Sequence, residues 1–302
     1  DIYMYPQWAN TTLFGYRKDL FEENGVDLPA EPTKKGFSFD ELEKAAAKLN
    51  HPEKGYYGML MRSSRMNLCH FPPILRGFGG EFVDENYYPL YDTPEYIEAV
   101  TYYTGLCKKY GPPGLVGYED LPTIVMQGKA AMFWDVTGGA AQYHDPSKSK
   151  AYDQIDYLPD PYGPKGVFPI SDNWYNGISA FSKYKKAAWL FVQWYSSPDV
   201  MKRMSIEQKW AGVTRTSIYT SPQYKEMTKN MGHYVDVALA NYRAAYPYLF
   251  PNMGDGMDEF YLYTTMVWEK VLTGGESPKE ACKWAQEKIL EVVKKFNLLK
   301  TK

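Results

Sequence analysis

Helical and strand-like patterns of hydrophobic residues alternate along the whole chain. Phe39, Leu42, Ala46 and Leu49 recur at helical spacing behind a Ser-x-x-Glu capping box that begins at Ser38, which predicts an amphipathic helix. Other segments with helical spacing or helix-capping residues are 17–24, 67–76, 94–110, 121–127, 185–196, 257–272 and 278–296. Short runs of strand length are 11–16, 56–61, 130–134, 155–158 and 176–181. This alternation, without an internal repeat, predicts an α/β fold.

The stretch from Gly128 to Gly139 combines a helix stop, a buried strand and a glycine turn. Ligands of open α/β sheets bind where strands end, and there Trp134 supplies a flat apolar face while Asp135 supplies two acceptor oxygens. The alternative is that Trp134 lies in the core and Asp135 caps the following turn. The pattern alone does not decide between the two.

The composition is that of a globular protein with a surplus of aromatic residues. The 302 residues allow two domains, and the net charge of −2 gives no electrostatic basis for binding nucleic acid. Aromatic residues make up 17% of the chain, which suits a surface that binds ring-shaped polar ligands or proteins, although a large core also needs them. Cys69, Cys107 and Cys282 are widely separated, and the sequence has no zinc, P-loop or serine-hydrolase motif. We therefore predict no cofactor and no metal site.

Seven short motifs, in order along nearly the whole chain, resemble the family 1 extracellular solute-binding proteins that supply ABC importers. They are Tyr16–Phe21, Phe37–Leu42, Gly79–Glu81 with the helix that follows, Gly128–Met132, Ile178–Lys183, Ala188–Val192 and Leu272–Ala281. Each motif is weak alone, and their shared order is the stronger signal.

The resemblance implies two α/β lobes of the periplasmic-binding-protein type, joined by hinge strands, with the ligand in the cleft between them. Residues 1–173 then form the second lobe with its entering hinge strand, 174–221 belong to the first lobe, and 222–302 return to the second lobe as closing helices. Only 15 residues precede Tyr16, where the family builds most of its first lobe, so we expect a fragment that lacks most of that lobe. The resemblance also implies a monomer, exported to the periplasm or tethered to the cell surface, that delivers ligand to a membrane permease.

Binding of a neutral sugar or polyol requires aromatic faces for C–H surfaces and hydrogen-bonding groups for hydroxyls. Trp174 is the strongest candidate for stacking, because the resemblance places it where the chain crosses between lobes. The other candidates combine aromatic and polar side chains at a crossing, a strand end, a loop or a closing helix: Gln7, Trp8, Asn10, Trp134, Asp135, Asn173, Asn176, Trp210, Arg215 and Tyr261. A core or structural role is the alternative for each. Trp189 and Trp194 are expected in the core because they lie at helical spacing.

Two other functions stay open at this point. A glycoside hydrolase needs two carboxylates that face each other across a cleft, for which Asp135 with Asp172 or Glu207 are candidates. An adhesion module would use the aromatic surplus on a large exposed apolar surface. The function we predict is capture of a neutral carbohydrate, either a sugar or a polyol, without catalysis.

Overall fold

The computed structural model describes residues 4–65, 68–246 and 249–300. Its strands are β1 (Met4–Arg17), β2 (Met132–Val136), β3 (Ile155–Leu158) and β4 (Ser171–Gly177). Its helices are α1 (Lys18–Glu23), α2 (Phe39–Lys48), α3 (Phe71–Gly77), α4 (Pro94–Tyr110), α5 (Asp120–Met126), α6 (Ala140–Tyr143), α7 (Lys185–Tyr195), α8 (Pro198–Glu207), α9 (Thr216–Tyr219), α10 (Pro222–Thr228), α11 (Tyr234–Ala244), α12 (Met257–Leu272) and α13 (Pro278–Lys295). Among these described helices, none combines the length and the apolar character that crossing a membrane requires.

Most of the predicted elements are found, and the two predicted capping boxes are confirmed. The Ser38 hydroxyl accepts from the Glu41 N–H at the start of α2, and the Ser277 hydroxyl accepts from the Glu280 N–H at the start of α13. The predicted helix over 67–76 is observed as α3, and residue 67 lies outside the described residues.

Two predicted strands differ from the structure. The segment 56–61 forms isolated bridges at Tyr56, Tyr57 and Leu60 and no strand. Gly58 within it packs closely on the backbone of α2, since a Cβ there would lie 2.1 Å from the Ala46 oxygen. The strand predicted over 176–181 lies earlier, as β4, because its position is set by pairing with β1 and not by its own apolar content.

One long strand, β1, organises the sheet. Its second half pairs antiparallel with β2 on one side and β3 on the other, over Thr12–Tyr16 and Phe14–Arg17. Its first half pairs antiparallel with β4 alone, and the pairing shifts register between Pro6 and Trp8. The same strand therefore runs from a two-stranded ribbon into a three-stranded sheet.

Two hydrophobic cores cover the two faces of the three-stranded part. Successive side chains of a strand point to opposite faces, so Phe14 and Trp134 pack with α2, α3, α4, α12 and α13 on one face. Leu13 and Phe133 pack on the other face with α5, α6 and residues between 201 and 238. Because both faces are buried, this part of the sheet is a rigid scaffold.

The side chains of the segment that follows the ribbon are much more exposed to solvent than those of the sheet. On α7 the large apolar side chains Trp189, Leu190, Phe191 and Trp194 are all exposed, so the expectation that Trp189 and Trp194 lie in the core is wrong. The physical reason is that this face is covered only in part: Trp189 contacts Tyr5 of β1, with ring centroids 5.6 Å apart, and all four side chains stay open to solvent. From Met201 onward the chain joins the second core again, so only about 174–200 of the predicted 174–221 segment stands apart. The assignment of that segment to a first lobe stays a prediction.

Candidate ligand-binding site

Three of the predicted tryptophans form one cluster on the ribbon. Trp8 and Trp174 are cross-strand partners, and their ring centroids are 5.5 Å apart. Trp210, in the loop after α8, lies 5.2 Å from Trp8 on its other side. Trp174 is 54% exposed, so a flat aromatic face is open to solvent at the end of the cluster. Exposed indole rings of this kind are suited to stacking on the C–H face of a sugar or polyol.

A polar cavity of about 340 Å³ begins at the inner edge of this cluster. It lies within the size range of small-molecule sites. Its walls combine aromatic, charged and amide side chains: Trp210, Tyr118, Asn10, Gln142, Arg62 and Asp135. A second, apolar cavity of about 190 Å³ lies beside it and also touches Trp8 and Trp210. Trp210 thus borders both cavities, whereas Trp8 borders the apolar one.

Gly138 allows the tryptophan cluster to approach the end of β2. A Cβ at this position would lie 2.7 Å from the Asn10 side-chain oxygen and 3.0 Å from the Trp210 ring. The Gly138 N–H instead donates to that Asn10 oxygen over 2.9 Å. Asn10 is therefore brought to the cavity as predicted, with its oxygen engaged by the turn that follows the strand.

A buried ion pair forms the floor of the polar cavity. Asp135 accepts hydrogen bonds from Arg62 Nη2 through one oxygen and from the Tyr143 hydroxyl through the other. Only 1% of Asp135 and 6% of Arg62 is exposed. The Arg62 guanidinium also lies 4.5 Å from the centre of the Tyr118 ring, in a cation–π contact. Asp135 thus lines the cavity, paired with an arginine that sequence reasoning missed, and its role in ligand binding stays a prediction.

Arg62 is held in place through its backbone as well as its side chain. Its N–H donates to His70 Nδ1 over 3.1 Å, and its carbonyl oxygen accepts from the Tyr103 hydroxyl. Burial, with a smaller contribution from the Arg62 charge, lowers the pKa of His70 well below its ordinary value, so the ring is neutral and accepts through Nδ1. Both backbone groups of Arg62 are therefore fixed before any ligand arrives.

Asp172 and Tyr261 face the same region. Burial raises the pKa of Asp172, while the Arg62 charge and a hydrogen bond from Trp174 act in the opposite direction. Burial also raises the pKa of Tyr261 to about 12, with Cys69 and Asp172 adding to the rise. The Tyr261 hydroxyl accepts from the Leu68 N–H over 3.2 Å. Tyr261 thus lies near the ion pair, as an uncharged side chain.

Four other predicted residues have different surroundings. The Gln7 amide donates to the Tyr195 hydroxyl over 2.8 Å and borders the apolar cavity. Asn173 pairs with Ala9 in the ladder, donates to Ser171 Oγ over 2.9 Å, and lines a cavity that neither Trp174 nor Trp8 borders.

The Asn176 side-chain nitrogen is buried without a partner among the described residues. Arg215 donates from Nη2 to the Ser196 carbonyl at the C-terminal end of α7, over 3.0 Å. The contacts of Arg215 are those of a side chain that stabilises a helix end.

Trp134 does not offer a stacking face. Its ring has no exposed surface, packs edge-on against Phe14, and donates from Nε1 to Asp160 over 3.1 Å. The reason is the register of β2, since alternate residues of a strand face opposite sides and Trp134 falls on the side of the larger core. The core alternative for Trp134 is therefore the one that the structure supports.

Two of the carboxylates considered for a hydrolase, Asp135 and Glu207, have partners in the structure. Both Asp135 oxygens are occupied by Arg62 and Tyr143, and Glu207 lies exposed on α8 with Arg203 3.7 Å away. In the ranges that the structure describes, no group of three or more His, Cys, Asp or Glu side chains could hold a metal ion.

The chain is similar in sequence to several known proteins. Residues 1–202 match the model of the bacterial extracellular solute-binding protein family. A mannitol-binding protein of Pseudomonas aeruginosa is 30% identical over 231 residues, which are 72% of this chain and 51% of that protein. A "Probable amino-acid ABC transporter periplasmic-binding protein" of Sinorhizobium fredii is 24% identical over 208 residues, 67% of this chain and 45% of that protein.

A solved structure is similar over almost the whole chain. It is an ABC transporter solute-binding protein from Agrobacterium vitis with bound D-mannitol, 26% identical, with a TM-score of 0.84 over 97% of this chain and 73% of that one. The chain spans about half the length of the curated relatives that it matches. The fold is therefore that of the two-lobed periplasmic binding proteins, and the chain belongs to the bacterial extracellular solute-binding protein family.

Proposed function

We propose that this protein captures a neutral carbohydrate, either a small sugar or a polyol, and delivers it to an ABC import permease. The observation that carries the proposal is that Trp210 borders the polar cavity and stacks in one cluster with Trp8 and the exposed Trp174. Aromatic faces and a hydrogen-bonding cavity thus lie side by side. This is the combination that a ligand with both C–H faces and hydroxyls requires.

The binding free energies expected from stacking and from hydrogen bonding indicate that the ligand needs both the aromatic rings and the polar cavity. Covering about 60 Å² of ligand surface on each of two rings contributes roughly 1.5 kcal/mol per ring at about 25 cal/mol/Å². Micromolar affinity requires about 8 kcal/mol in total. Hydrogen bonds in the cavity and closure of a second lobe must supply the rest, so stacking alone is not sufficient.

The exposed face of α7 supports the lobe assignment. Soluble proteins rarely leave a contiguous apolar surface of several large side chains uncovered unless it is an interaction site. We assign the segment from Trp174 to about residue 200 to the first lobe. The relatives are longer than this chain, and we propose that first-lobe elements in that additional length cover the exposed face of α7. Ligand bound between the lobes would then favour the closed arrangement, which the permease recognises.

The family supports a proposal on location and partners. Its members are bacterial extracellular proteins. We propose a periplasmic or surface-tethered monomer that releases ligand unchanged to its permease. The relatives named here are binding proteins, which favours this function over the hydrolase alternative.

Calorimetric titration of the protein in its full-length form tests the proposal. The panel contains D-mannitol, ribitol, maltose and a neutral amino acid, and chromatography of the ligand afterwards tests for turnover. We expect micromolar or tighter binding of at least one polyol or sugar, and recovery of the ligand unchanged. Binding of the amino acid alone, or recovery of a cleaved sugar, would exclude the proposed function.

A further inference from the structure

One nitrogen of the buried Arg62 guanidinium has no hydrogen-bond partner among the described residues. Arg62 Nη2 donates to Asp135, whereas Arg62 Nε is buried and has no hydrogen-bond partner among the described residues. Arg62 borders the cavity, and its backbone is fixed by His70 and Tyr103. An unpartnered, rigidly held donor is costly in a folded protein unless a ligand or water completes it.

The charge of Arg62 is already neutralised within the protein. Asp135 is in direct contact with the guanidinium, and Asp172 lies near enough that the Arg62 charge acts on its pKa. The other charged side chains around the cavity are exposed at its rim, and one of them, Lys209, lies 3.4 Å from Asp145. The buried lining of the cavity thus holds one positive group in contact with one carboxylate, Asp135.

We propose that the Arg62–Asp135 pair makes the site selective for uncharged polyhydroxyl ligands and against the corresponding sugar acids. The inference rests on the proposed function and deepens it. Arg62 Nε–H donates to a ligand hydroxyl, and Asp135 cancels the charge that would otherwise attract a carboxylate.

The chemistry of arginine explains why the pair is needed. A free guanidinium binds a carboxylate through two parallel hydrogen bonds, which a single hydroxyl cannot match. Here Nη2 already donates to Asp135 and Nη1 lies 3.8 Å from Cys69 Sγ, so Nε is the guanidinium nitrogen without a partner. A ligand carboxylate at Nε would stand beside the buried negative charge of Asp135. Like charges juxtaposed in a desolvated site are strongly unfavourable. A hydroxyl accepts the same hydrogen bond without that repulsion.

The test compares D-mannitol with D-mannonate, which differ by oxidation of one terminal carbon to a carboxylate. With the full-length protein at fixed pH and salt, we expect mannitol to bind at least about tenfold more tightly than mannonate. In Asp135→Asn we expect mannitol to weaken about tenfold and mannonate to tighten about tenfold, so that the preference is reversed. Asp153→Asn, the same substitution at an exposed turn, should leave both affinities unchanged.

The double variant Arg62→Gln/Asp135→Asn separates charge from general damage. It removes both charges, so the gain in mannonate binding should disappear. If Asp135→Asn weakens both ligands equally while its circular dichroism and melting temperature match the wild type, the inference is wrong and the proposed function stands.

The wild type alone also tests the inference, in case Asp135→Asn does not fold. Equal or tighter binding of mannonate than of mannitol by the wild type overturns the selectivity. Binding of no polyol or sugar at all overturns the proposed function together with it.

Discussion

The two halves of β1 show how one strand supports both stability and recognition. The half over Thr12–Arg17 lies between β2 and β3, and its side chains are almost all buried. The half over Met4–Thr11 pairs only with β4, and its aromatic side chains, Tyr5 and Trp8, are half-buried. Two tryptophans make the contrast concrete, since Trp134 has no exposed surface whereas Trp174 is 54% exposed.

This difference shows that a tryptophan next to polar residues is not by itself a sign of a binding site. Trp134 uses its N–H to satisfy the buried Asp160, whereas Trp174 presents its ring outward on a ribbon. Burial on both faces makes a side chain part of the scaffold, and a missing neighbour on one side leaves it available to a ligand. The four predictions below test that division.

The largest effect is expected for Trp134→Ala. The substitution removes a fully buried ring and one of the donors to Asp160, so the free energy of unfolding should fall by about 3–5 kcal/mol. Urea unfolding followed by circular dichroism measures it. A loss below about 1 kcal/mol would show that this half of the sheet is not the rigid scaffold described above.

A smaller effect on the free energy of unfolding is expected from the titration of Asp160. Burial raises the pKa of this carboxyl from 3.8 to about 7, although Thr12, Trp134 and Asn241 donate to it. The folded state therefore binds more protons than the unfolded state between these two values, so stability is greatest at low pH and falls as pH rises through about 7. We expect a loss on the order of 2 kcal/mol between about pH 5 and pH 7 in the wild type.

Asp160→Asn provides the comparison, because it keeps the size of the side chain and cannot titrate. Urea unfolding across this pH range should give a flatter profile in the variant than in the wild type. If the free energy of unfolding falls equally with pH in the variant and the wild type, a titratable group other than Asp160 causes the pH dependence.

For Trp174→Ala the expected effect is on affinity and not on stability. Its ring is more than half exposed, so the free energy of unfolding should change by less than about 0.5 kcal/mol. Polyol affinity of the full-length protein should fall about tenfold, equivalent to 1.4 kcal/mol. Affinity that stays within about twofold would remove Trp174 from the site, and Trp174→Phe should retain most of the binding if stacking is its role.

The smallest effect is expected for Leu190→Glu in the 302-residue chain. Leu190 is 66% exposed on α7, so its substitution should leave the melting temperature within about 1 °C. In the full-length form, where we propose that first-lobe elements cover this face, the same change should destabilise the protein. Equal melting shifts in the two forms would contradict the lobe assignment.

Much of the fold could be predicted from the sequence because local signals and tertiary structure agree. The capping boxes at Ser38 and Ser277, and the helical spacing of Phe39 and Leu42, are local features that the structure retains. The pairing of β1 with β4 was not predictable from periodicity, because a ribbon of mixed polar and aromatic residues has no clear alternation. The exposure of α7 was missed for a related reason, since its spacing identifies an apolar face but not what covers it.

The site was predictable only in part. Trp8, Trp174 and Trp210 were proposed together and lie in one cluster, and Asp135 borders the adjoining cavity. Arg62 was missed, because its only sequence signal is a charged residue directly after an apolar run. Tyr118, which contacts the Arg62 guanidinium, lies in a loop with no pattern at all. Arg62 and Tyr118 are brought together by long-range contacts, which the local spacing of residues does not reveal.

The most direct test of the central claim is a crystal structure of the full-length protein with D-mannitol bound. The account predicts that the carbon chain lies against the exposed ring of Trp174 and that a hydroxyl lies within about 3.2 Å of Arg62 Nε. Electron density for the ligand in the apolar cavity beside Gln7 and Met201, or at a site away from both Trp174 and Arg62, would contradict the account.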